Sequence, residues 1–138
     1  MTYAELAHFN DSLTRCTSDP QFLERFYDLF LASSDEVRHK FSKTDLQKQR
    51  RMLQASFYMV MLAADGPLEG TVPLEYLAAL HSQRHLDIPP HLYDLWLDCL
   101  LQAVRESDPQ WTPETESLWR SMMAKGMAFM KARYSPKP

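Results

Sequence analysis

Of the five histidines, His81 alone falls on an apolar stripe at helical spacing, with Leu74, Leu77 and Ala78. An imidazole in such a place has two uses. It is a core side chain bonded to a backbone carbonyl, or it ligates a metal or haem iron while the carbonyl of Leu77 holds its other ring proton. His81 and His85, four residues apart, could share a zinc ion, but no third ligand accompanies them. Tyr27 lies at helical spacing from Leu23 and Phe30, so its ring belongs inside and its hydroxyl needs a partner, a carbonyl in the simplest case. Gln49 stands one turn before Leu53 and two before Phe57; read alone it is a solvated first-turn amide. The eight methionines are most simply pliable core filler. Lys48, Arg50 and Arg51 form a wet helix face that could pair the carboxylates of a cofactor at its rim.

The elements that position these residues are helices. Three glycines among 138 residues are too few for a protein built on tight hairpins, which use glycine to reach positive φ. The nine prolines cut the chain into long uninterrupted blocks. Thr2-x-x-Glu5, Ser33-x-x-Glu36 and Thr44-x-x-Gln47 read as capping boxes, and Asp19-Pro20 and Thr112-Pro113 as a cap followed by proline at the first helical position. Helices are expected near 3–15, 20–32, 34–40, 45–64, 73–85, 89–106 and 113–134. Apolar periodicity agrees, with Phe22, Phe26, Leu29 and Phe30 on one block, Leu53, Phe57, Val60, Met61 and Ala64 on another, and Leu92, Trp96, Cys99, Leu100 and Ala103 on a third.

One domain spanning 1–138 is expected, since a chain of this length buries roughly two-thirds of its unfolded surface around a single core. Apolar residues at 45% and charged ones at 24% fit a soluble globular protein. A net charge of -3 gives no cationic field for a phosphate backbone, so nucleic acid is not expected as a partner. The longest greasy run, Phe57 to Ala64, is far short of the ~20 residues of a membrane helix, and no leader pattern opens the chain. A cytoplasmic protein without membrane contact is expected, with Cys16 and Cys99 as buried free thiols. No glycine-rich phosphate loop and no Gly-x-Ser-x-Gly elbow is present.

Phe26-Tyr27-Asp28-Leu29-Phe30, Glu36-Val37-Arg38-His39-Lys40-Phe41, Gln49-x-x-x-Leu53, Leu80-His81-Ser82 ahead of Pro89-Pro90, and Tyr93-Asp94-Leu95-Trp96-x-x-x-Leu100-Leu101 follow one another in an order more specific than any single piece. Together they resemble the globin family, most closely the bacterial single-domain globins and the globin domain of flavohaemoglobins. The resemblance covers nearly the whole chain. It implies an all-α globin fold of about seven helices around a haem pocket, with the D helix short or absent. It implies haem b (iron protoporphyrin IX) as cofactor and His81 as the proximal iron ligand. Phe41 matches the phenylalanine that stacks on the porphyrin, Tyr27 the tyrosine that faces bound gas, Gln49 the distal residue, and Leu53 a roof one turn farther on. Arg50 adjoins Gln49, and Tyr93 stands near the proximal-side tyrosine of flavohaemoglobins.

A pocket lined also by Phe57, Leu80, Leu86, Ile88 and Trp96 would then retain the haem by burying its faces, with Arg51 or Arg84 near its propionates. Reversible binding of O2 and/or NO is the implied function, with CO as a further gas ligand, serving transport, sensing or NO detoxification. The reading leans away from an enzyme, because NO dioxygenase turnover requires a separate reductase. A monomer and a homodimer both suit the sequence. The alternative is a haem-free, globin-like sensor or protein-interaction module.

Overall fold

The computed structural model describes residues 2–62, 78–79, 81–82 and 87–135. Its six helices are α1 (Tyr3–Ser18), α2 (Phe22–Ser33), α3 (Asp35–Lys40), α4 (Leu46–Leu62), α5 (His91–Ser107) and α6 (Pro113–Ala132), and no strand occurs among the described residues. The helix expected at 73–85 lies largely outside them; within it, 78, 79 and 81 are helical. None of the described helices is long and apolar enough to cross a membrane.

Two of the expected caps form as read. The Thr2 side chain accepts from the Glu5 amide while Glu5 accepts from the Thr2 amide, and Thr112 and Thr115 repeat the exchange with Pro113 at the first position of α6. Three differ. Ser33 ends α2 by donating to the Phe30 carbonyl at 2.6 Å, and it is the extended Ser34 that accepts from Val37. Asp45, not Thr44, receives the amides of Gln47 and Lys48 at 3.1 and 3.2 Å, because its carboxylate reaches both orphan donors of the first turn. Asp19 accepts from the Gln21 amide, so Pro20 sits in the turn and α2 opens at Phe22. At the other end of that turn α1 runs three residues beyond expectation, the hydroxyls of Thr17 and Ser18 bonding back to the carbonyls of Leu13 and Thr14.

α2 packs chiefly against α5, while α6 lies against α1, α4 and α5. Trp119 on α6 is wholly buried and meets Phe9 and Phe57 edge-on, with ring centroids 4.8 and 5.7 Å apart. Phe22 and Phe26 of α2 and Leu100 and Val104 of α5 are buried in one core, and Phe26 meets Trp96 of α5 edge-on at 6.0 Å. A polar knot pins the α5–α6 turn to α1. Asp108 takes hydrogen bonds from Ser12 Oγ at 2.6 Å and Arg15 Nε at 2.6 Å, and Trp119 Nε1 donates to Ser12 at 2.9 Å. Both cysteines are free; Cys16 is buried, its thiol pushed up to about 12 by burial, whereas Cys99 is only half-buried, contrary to expectation.

Candidate functional site

A cleft opens beside this core. The room inside it is about 150 Å³, and about 1050 Å³ when the open solvent at its mouth is counted. One wall comes from α2, whose 3.6-residue repeat turns Tyr27 and Phe30 toward the cleft. Phe41, directly after α3, closes the side by meeting both rings at centroid distances of 6.0 and 5.8 Å. α4 supplies Gln49, Leu53 and Phe57 at intervals of four, with Met52, Ser56 and Val60 beside them. His81 and Ile88 enter from the segment ahead of α5, and Leu92, Tyr93 and Trp96 from the first turns of α5.

Of the sequence-derived site residues, His81, Phe41, Tyr27, Gln49, Leu53, Phe57, Ile88, Tyr93 and Trp96 thus share one cleft. Leu80, Arg84 and Leu86 lie outside the described residues. Between the adjacent Gln49 and Arg50, it is Gln49 that lines the cleft, and Arg51 is exposed and takes no part in its lining.

The remaining wall went unread from the sequence. Met123, Gly126, Met127 and Met130 line the cleft from α6. Their spacing of three, four and seven is a helical stripe interrupted by glycine, and that interruption is the signal that sets it apart from core filler. A Cβ on Gly126 would stand 3.3 Å from Val60 Cγ2, so the glycine lets α6 approach α4 closely.

Few polar groups face this greasy space. Tyr27 is 3% exposed, and burial pushes its hydroxyl up to about 12 against the opposing pull of a hydrogen bond with Gln49 and the charge of Arg50. Tyr93 is likewise pushed up to about 12 by burial. Both therefore stay protonated and able to donate through the whole physiological range. Ser56 satisfies its own hydroxyl at the Leu53 carbonyl, 2.7 Å away.

The His81 carbonyl accepts from the Ile88 amide at 3.1 Å. Among the described residues no three His, Cys, Asp or Glu side chains gather to hold a bare metal ion. A single imidazole in an apolar cleft suits instead a metal whose remaining ligands arrive with a cofactor.

The family model for globins matches residues 24–130 of the chain. No curated protein matches it. Among solved structures, one from Pseudomonas aeruginosa PAO1, described as structurally highly homologous to a human hemoglobin, is 40% identical. The match covers 94% of this chain and 98% of that one at a TM-score of 0.88. With its all-helical architecture, a family match across most of its length and this close structural relative, the chain belongs to the globin family.

Proposed function

We propose that this globin holds haem b in the cleft, with His81 as the axial ligand, and reversibly binds O2 and/or NO under hydrogen bonds from Tyr27 and Gln49. One observation carries the reading: a single apolar cleft collects His81, the Tyr27–Gln49 pair and the rings of Phe41, Phe57 and Trp96. The likeness of the Pseudomonas relative to a human hemoglobin supports it.

The residues present fit such a group. Its large apolar faces call for walls that exclude water, which Phe41, Leu53, Phe57, Ile88 and Trp96 provide. Gly126 lines the cleft where α6 comes close to α4, and a side chain there would press on Val60. Bound there, haem would supply an iron centre held by the His81 imidazole and able to take a diatomic gas.

Ligand retention falls to the chain's own polar residues. Tyr27 holds its proton at the phenolic oxygen, and a hydroxyl donor in apolar surroundings stabilises negative charge on a neighbouring ligand more than the same donor does in water. Gln49 anchors that hydroxyl and brings its own amide to the same wall. Replacing Tyr27 by Phe removes a donor worth about 1–2 kcal/mol, so O2 dissociation measured by stopped flow should accelerate roughly tenfold. An unchanged rate would remove Tyr27 from the role. Turnover of NO to nitrate needs electrons from a separate reductase, and NO should be consumed at steady state only when a generic reductase is added.

A further inference from the structure

Asp87 joins three parts of the molecule around the segment that carries His81. It is the non-glycine residue with positive φ among the described ones, at 53°, a backbone state in which Asp is tolerated but not favoured. Its amide donates to the Ser82 carbonyl at 2.9 Å, and the next amide, that of Ile88, donates to the carbonyl of His81 itself at 3.1 Å. These two bonds tie residues 87 and 88 to residues 82 and 81. Two partners from elsewhere hold the Asp87 carboxylate. The hydroxyl of Tyr134, beyond the end of α6, donates to Oδ1, and Lys40 at the end of α3 lies 3.6 Å from Oδ2. The Tyr134 bond, with help from the Lys40 charge, holds the carboxyl below its ordinary range. Lys40 precedes Phe41, and Ile88 follows Asp87, so this one carboxylate ties two lining residues of the cleft to each other and to the chain's last described turn.

We propose that Asp87 is a positioning residue for His81, with Tyr134 and Lys40 fastening its carboxylate so that the His81 carbonyl, and with it the imidazole, keeps a fixed register against the cleft. The proposal rests on the reading of His81 as the axial ligand. The link is a series of contacts: Tyr134 fixes Asp87, Asp87 fixes the Ile88 amide that follows it, and that amide holds the His81 carbonyl.

The test compares Tyr134→Phe, Asp87→Gly and the double variant in the full-length protein. Glycine adopts the positive φ at no steric cost, so Asp87→Gly removes the carboxylate and leaves the turn allowed. Three readouts apply: backbone amide exchange at Ile88, the iron–imidazole stretching band in the Raman spectrum of the ferrous protein, and the rate of haem transfer to excess apomyoglobin. Each single variant should raise exchange at Ile88 and haem transfer roughly threefold and shift the band. The double variant should do no more than Asp87→Gly alone, because the Tyr134 bond is already gone once the carboxylate is removed, along with the Lys40 contact. Unchanged exchange, band and transfer in both single variants, or effects that multiply in the double, would overturn the proposal. Wild-type protein that takes up no haem would refute the axial role of His81, whereas haem-bound wild type with unaltered variants would refute the positioning role alone.

Discussion

At the residue scale, the proposed gas binding turns on which side chains hold protons inside a greasy cleft. Burial pushes the Tyr27 hydroxyl up to about 12, so O2 release should stay flat from about pH 6 to pH 9, measured in the same stopped-flow experiment. A release rate that rises through this window would place the donor on another group. Gln49→Leu removes the partner that orients the Tyr27 hydroxyl and should speed release by about threefold to tenfold, less than or equal to the effect of Tyr27→Phe. Spacing alone left Tyr27 and His81 undecided, since a core side chain and a cleft-lining one satisfy the same three-and-four repeat. The resemblance to globins separated them, because it adds the order of several motifs to the spacing of any one. What it could not supply was the choice between Gln49 and Arg50, which depends on the rotation of α4 about its axis.

At the element scale, the helices were legible because proline and capping residues mark their ends chemically. The errors at the caps were of one or two residues and have a common origin. Ser33 and Ser34, or Thr44 and Asp45, are neighbours that both carry an oxygen able to cap, and the choice falls to the one whose backbone is extended or whose carboxylate reaches two amides. The α6 wall was missed for a different reason. Methionine packs anywhere, so its presence says little until a neighbouring element stops short of it. Gly126 marks that place, and Gly126→Leu should drive a side chain against Val60 where α4 and α6 border the cleft. Haem affinity should fall about tenfold or more, from overpacking worth about 1–3 kcal/mol, while the helical circular dichroism of the protein is retained. Unimpaired haem uptake would show that the α6 wall does not border the bound group.

At the scale of the whole molecule, one buried carboxylate ties the first helix to the last two. Burial alone would raise Asp108, but the bonds from Arg15, Ser12 and the Gln110 amide outweigh it and leave the carboxyl below its usual range. The stabilisation it brings is therefore complete above the ordinary carboxyl value of ~3.9 and is lost as pH falls through the lower folded value. Asp108→Asn should lower the urea-unfolding free energy by about 1.5–3 kcal/mol at neutral pH, and the gap from wild type should close below about pH 4. A gap that persists in acid would assign the stabilisation to shape instead of charge. The same architecture sets α2, α4, α5 and α6 around the cleft that His81 lines, and the proposed function gives His81 the role of iron ligand there. The absorption spectra of the ferric, ferrous and CO-bound protein test that claim most directly, compared with those of His81→Ala. An intense violet band that shifts on reduction and on CO addition, and is lost or strongly altered in the variant, is the predicted result; wild-type protein that stays colourless after incubation with haem would contradict it.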